Sequence, residues 1–169
     1  MQHTPPGKIR SLDALRALLG DEAPLLSCTD QLASLREPVS ACGRTLTNRF
    51  CIHPMEGWDG TAEGAPTEHT KRRWRRFGLS GADLIWGGEA FAVQADGRAN
   101  PNQLWFNRND DPVAHLAGLR DELLAGRAQA GLDEDALLLG LQLTHSGRFS
   151  RPDKAAPKVL AHNPVLEAK

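Results

Sequence analysis

The sequence predicts an α/β fold, a parallel sheet covered by helices, on three observations. Apolar runs of strand length, "RFCIHPM", "LIWGGEAFAV" and "LLLGLQL", alternate with segments of helical period, and near-continuous apolar strands between helices belong to buried parallel sheets. Each run gives way to glycine-marked or polar chemistry, in "HPMEG", "GGEA" and "LTHSGR". The order is strand, loop, helix, strand, loop, helix, strand, loop, which right-handed crossovers can join. Ligands of such sheets sit beyond the carboxyl ends of the strands, so the three loops are expected to converge on one site.

The elements follow in chain order. "SLDALRALLGDEAP" places Leu12, Leu15, Leu18 and Leu19 at helical spacing, with Ser11 as N-cap and Gly20 after the last turn. Pro24 and Pro38 bracket a loop. "REPVSACGRTLTNRFCIHPMEG" then gives two extended runs divided by a turn at Gly43, the second ending at Pro54 and predicted as a core strand. After the loop "GWDGTAEGAP", Thr67 caps a helix whose Trp74 and Phe77 share a face and which ends near Gly78. "GADLIWGGEAFAV" is a second buried strand running into a glycine-marked turn. Asp111 and Pro112 are an N-cap and first-turn pair, and Val113, Leu116, Leu119, Leu123 and Leu124 form an apolar stripe. The third strand, from Leu137, closes on Gln142, His145 and Arg148.

Composition excludes several classes. A chain of 169 residues, 40% hydrophobic and with formal charge −1, suits one globular core. No apolar run approaches the roughly 20 residues that cross a bilayer, and "MQHTPPGKIR" lacks the apolar centre of a signal peptide; a soluble, cytoplasmic protein is expected. Cys28, Cys42 and Cys51 contain no CxxC pair and are expected to be reduced, mostly buried thiols. His53, His69, His115, His145 and His162 lack the paired spacing of a zinc site, so no metal is expected. "KRRWRR" could face nucleic acid, but on a slightly acidic chain it reads better as a solvated outer helix.

Three motifs, "NRFCIHPMEG", "LIWGGEAFAVQADGRANPNQL" and "LGLQLTHSGRFSRP", resemble in order and spacing the start of the old yellow enzyme family of flavin oxidoreductases. The resemblance runs from about "REPVSACGRTLTNRF" to the last residue. It implies a TIM barrel binding FMN, of which this chain carries about the first three strands. Residues 1–48 would be an N-terminal extension with a barrel-bottom hairpin, and residues 49–169 the first part of the FMN-binding barrel. Residue by residue, it implies that Pro54 and Met55 line the flavin ring, that Ala90 lies against it, and that Gln142 hydrogen-bonds its pyrimidine edge. His145 and Arg148 fall in the matching "HSGR". Where the family commonly has a small polar residue after "PM", this chain has Glu56, whose carboxylate would oppose negative charge on reduced flavin. By the same resemblance, NADH or NADPH would be the reductant and an activated alkene or another small molecule the substrate, with neither nucleic acid nor membrane as partner.

Eight strands and about 250 residues make such a barrel, and the chain ends after the third. The family's substrate-holding His or Asn pair, its proton-donating Tyr and its flavin phosphate site have no counterpart here, so the catalytic residues remain unassigned. The chain is expected to be an opening portion of an enzyme, inactive alone, and to be a truncated product or a partial sequence. The alternatives are a non-catalytic remnant or interaction module, completed by a complementing fragment or by self-association through open strand edges, and a dihydrouridine synthase-like flavoprotein, which shares "PMEG" but not "ANPNQL".

Overall fold

The computed structural model describes residues 4–25, 32–153 and 163–165. Residues 1–34 and 35–169 form two compact units. In the first, α1 (Leu12–Leu19) starts where the Ser11 hydroxyl accepts the Ala14 N–H at 3.1 Å and stops at Gly20. Both ends are those expected from the sequence. Cys28 and His162 lie outside the described residues.

The second unit opens with an antiparallel hairpin, β1 (Val39–Ala41) and β2 (Arg44–Leu46). Its two turn residues, Cys42 and Gly43, have φ of 50° and 74°, the left-handed pair that matches strand twist in a two-residue hairpin. The strand predicted to run on to Pro54 is interrupted here. After Leu46 the chain turns so that Asp83 accepts both the N–H and the hydroxyl of Thr47, each at 2.6 Å, and only then enters β3 (Cys51–Ile52). β3 is a short, half-buried edge strand rather than a core strand. The thiols also differ from expectation: Cys42 is exposed and Cys51 half-buried, because one sits in the turn and the other on the edge.

β4 (Leu84–Ala92) and β5 (Leu138–Thr144) complete a parallel sheet of order β3-β4-β5, with α2 (Glu68–Leu79) and α3 (Pro112–Gln129) as the intervening helices. The predicted caps hold. Thr67 and Thr70 close a capping box on α2, and Asp111 accepts the Ala114 N–H at 2.9 Å ahead of Pro112. Trp74, Leu119 and Leu123 from the helices pack with Ile85 and Phe91 from the sheet and with Leu137 just before β5; each such burial contributes roughly 1.5–3 kcal/mol. The helices cross in close approach. A Cβ on Gly78 would strike the Leu123 carbonyl oxygen, and one on Gly126 would strike that of Arg75.

The glycine pair predicted as a turn after the second strand is a bulge inside it. Between the pairs Trp86↔Gly140 and Ala90↔Gln142, β4 spends three residues where β5 spends one. Gly87 takes φ of 69°, and a Cβ there would come within 2.9 Å of both the Gln142 nitrogen and the Pro54 Cβ. The extra residues kink the strand locally and turn Glu89 toward α2. Beyond the reach of β3, the other side of β4 is completed by loop backbone: Ala90 N–H bonds the Met55 carbonyl at 3.2 Å, and Ala92 exchanges bonds of 2.9 Å with Leu104 and Phe106.

Candidate functional site

All three loops singled out in the sequence meet at the carboxyl ends of the strands. Pro54 and Gln142 flank Gly87 from the two sides of β4. Met55 is tied by its backbone to Ala90 and leaves its side chain 69% exposed. Glu56 is also exposed, and its Oε1 accepts a 3.3 Å hydrogen bond from the Ser146 hydroxyl in the loop after β5. Ala90 shares the register position of Gln142 but is only 2% exposed. Its methyl group is packed rather than presented to a ligand, because loop backbone covers this part of β4. His145 borders the same loops. Its Nδ1 accepts the Gly147 N–H at 3.0 Å, and a Cβ on Gly97 would run into its ring.

Behind these exposed groups lies a charged chain that the sequence reading did not assign. Glu89 is 0% exposed. One of its oxygens accepts the Gly57 N–H at 3.0 Å, and the other accepts Arg73 Nη2 at 2.6 Å. Arg73 also grips Asp59 with two bonds of 2.8 and 2.9 Å and donates to the Gly88 carbonyl at 3.2 Å. Burial pushes the Glu89 carboxyl above its ordinary range, against the opposing pull of Arg73 and the Gly57 N–H. Burial acts on Asp59 in the same sense, but the bonds and charge of Arg73 outweigh it and hold Asp59 below its ordinary value. For Arg73 burial disfavours the charge, and the two carboxylates more than compensate. The run "KRRWRR" is therefore not uniformly a solvated face, since Arg73 points to the strand ends.

A second set of missed residues comes from "ANPNQL". Asn100 Nδ2 donates to the Gly57 carbonyl at 3.0 Å, Asn102 Nδ2 to that of Gly60 at 3.0 Å, and Gln103 Nε2 to that of Ala90 at 2.8 Å. Asn100 and Gln103 are fully buried, so their amides work on backbone and leave nothing for a ligand. An opening of about 710 Å³ lies nearby between residues 93–96 and 105–109, and none of the five sequence-predicted site residues lines it.

The exposed groups suit a flat heteroaromatic ligand such as flavin. Met55 and Trp86 offer exposed apolar surface, and the Gln142 side chain makes no hydrogen bond to another described residue. No cluster of metal-ligating side chains occurs among the described residues.

No protein-family model matches the chain, and no curated protein matches it. Solved structures do. A 2-naphthoyl-CoA reductase in complex with 2-naphthoyl-CoA aligns with 72% of this chain at 14% identity and a TM-score of 0.59, over 17% of its own length. The old yellow enzyme homologue of Zymomonas mobilis aligns with 73% at 23% identity and 0.55, over 32% of its length. Morphinone reductase in complex with tetrahydroNAD aligns with 73% at 22% identity and 0.54, over 31% of its length. The α/β fold of this chain is similar to part of the fold of these old yellow enzyme family structures. This chain thus spans less than a third of each of these proteins, and its parallel sheet is an open, three-stranded arrangement among the described residues. No helix of the described residues is long and apolar enough to cross a membrane.

Proposed function

We propose that this chain forms the first strands of an FMN-binding (β/α)8 barrel and belongs to a cytoplasmic, old yellow enzyme-type oxidoreductase acting on a small molecule. One observation carries the reading: on a fold shared with such reductases, Pro54, Met55 and Gln142 gather around the Gly87 bulge at the carboxyl ends of three parallel strands. Bound FMN would supply a two-electron carrier between NADH or NADPH and an acceptor such as an activated alkene. Pro54 and Met55 would give the ring its apolar support. The Gln142 amide would donate to the pyrimidine edge, where reduction gathers negative charge, and a fixed donor there stabilises the reduced form. Glu56 works in the opposite sense, placing a carboxylate at the same strand ends.

The test uses the protein expressed from the whole open reading frame that contains this chain. Under this reading it is purified with FMN, and its flavin band bleaches anaerobically with NADH or NADPH and returns on adding an activated alkene. A protein that binds no FMN when the cofactor is supplied would overturn the reading.

A further inference from the structure

Buried charge is expensive unless it is paired and hydrogen-bonded, and the Asp59–Arg73–Glu89 chain holds two carboxylates against one guanidinium. What this arrangement fixes is the backbone of a single residue, through the two peptide units that meet at it. Gly57 has its N–H bound by Glu89 at 3.0 Å and its carbonyl by Asn100 at 3.0 Å. Both clamping side chains are 0% exposed. Two residues earlier, the Met55 carbonyl is held by the Ala90 N–H at 3.2 Å. The backbone is thereby pinned on either side of Glu56, while the Met55 and Glu56 side chains stay exposed. The clamp also dictates the residue at 57. A Cβ there would lie 2.7 Å from Arg73 Nη2, 2.8 Å from Asp59 Oδ1 and 3.0 Å from Glu89 Oε1.

We infer that Glu89 is a positioning residue: through the Gly57 N–H, and with Arg73 fixing its carboxylate, it sets where Pro54, Met55 and Glu56 stand at the mouth of the site. A carboxylate suits this task because hydrogen bonds to an ionised acceptor are shorter and stronger than neutral ones. The bidentate grip of Arg73 on Asp59 removes the rotational freedom that Arg73 would otherwise have. The ligand side of the inference rests on the FMN reading above. The clamp itself does not.

The experiment compares wild type with Glu89→Gln in the protein from the whole reading frame. Amide hydrogen exchange is followed without added cofactor, and FMN titration and midpoint potential are measured with it. Gln has one acceptor oxygen where the carboxylate serves Gly57 and Arg73 with two, so loss of the charged acceptor should speed exchange at Gly57 by about tenfold or more, weaken FMN binding by a similar factor, and shift the flavin potential, since the Glu56 carboxylate is no longer held in one place. Arg73→Lys keeps the charge but loses the two-pronged grip, and should fall between the two. Should Glu89→Gln fail to fold, Asn100→Ser releases the same residue from its carbonyl side and should raise exchange at Gly57 likewise. Unchanged exchange at Gly57 in a folded variant would overturn the clamp. Faster exchange with unaltered FMN affinity and potential would overturn its role in positioning. A wild type that takes up no FMN would count against the proposed function instead, leaving exchange to decide the clamp.

Discussion

Each end of the sheet is closed by an arginine from a helix, one buried and the other half-buried, and the two ends use it differently. At the start of β4, Arg127 of α3 is 1% exposed and donates to Asp83 at 2.8 Å and to the carbonyls of Ala82 and Asp133, while Asp83 also takes both Thr47 donors. Charges there balance one to one, and the pair ties β4, the end of α3 and the hairpin together. At the carboxyl ends, Arg73 of α2 faces two carboxylates, and the loop it supports carries exposed side chains. The first arrangement locks the fold; the second supports a loop whose side chains stay exposed. This division accords with the general rule that α/β sheets bind beyond the carboxyl ends of their strands.

The largest effect should come from the locked end. Arg127→Ala strips Asp83 of its counter-ion and takes a donor from the buried Ala82 carbonyl, and breaking a buried pair in this way costs about 3–5 kcal/mol. Urea unfolding measures it. A loss below about 1 kcal/mol, the scale of an exposed pair, would erase the contrast between the two ends.

Gly126→Ala acts on both ends at once, since the α2–α3 crossing joins the helices that carry the two arginines. The added methyl meets the Arg75 carbonyl oxygen, backbone that cannot rotate away, so the helices must separate. Overpacking of this kind costs roughly 1–3 kcal/mol, visible as a lower Tm. A variant as stable as wild type would show that the crossing has room to spare.

The pH dependence should separate Asp83 from Glu89 by sign. Asp83 is held below its ordinary value: burial pushes it up, and the Thr47 and Arg127 bonds more than reverse this. A depressed carboxyl contributes stability that is full above the ordinary 3.8 and is lost as pH falls through the lower folded value. Glu89 is raised, so the folded chain keeps its proton longer than the unfolded one, and stability declines as pH rises from the ordinary 4.5 through the folded value. Asp59 follows the sign of Asp83. Urea midpoints against pH should therefore lose part of their acid slope in Asp83→Asn and their decline above 4.5 in Glu89→Gln. The same slope change in both variants would contradict the assignment.

Much of the locked end was legible in the sequence and much of the other was not. β4, β5 and α3 announce themselves through apolar runs and an N-cap with proline behind it, because burial and capping are local demands written at fixed spacings. The charged chain at the carboxyl ends depends on tertiary approach: residues 59, 73 and 89 lie on a loop, a helix and a strand. Signals for it did exist. Arg73 falls four residues before Phe77, on the same face, and Glu89 is a lone carboxylate in the run "LIWGGEAFAV", where an unpaired charge could not stand. Asn100 and Gln103 sit in a loop whose motif was legible but whose work on backbone carbonyls was not. The interruption at Thr47 escaped because Asp83, which draws the chain aside, is 36 residues away.

The smallest effect concerns Glu56, where the comparison between locked and presented groups reaches a single side chain. Unlike Glu89, it is exposed and, among the described residues, accepts only the 3.3 Å bond from Ser146. Solvent screens its charge, so its influence on a neighbouring ring should be modest. Under the proposed function, Glu56→Thr in the FMN-loaded protein should raise the flavin midpoint potential slightly, since a carboxylate no longer opposes the negative charge of the reduced ring. Thr retains a hydroxyl that can partner Ser146, so the loop is kept and the change isolates the charge. The rise should shrink as ionic strength increases, because screening has already removed part of what the substitution removes. A potential that is unchanged at low salt would mean that Glu56 turns its carboxylate to solvent; a rise independent of salt would mean that the loop has moved instead.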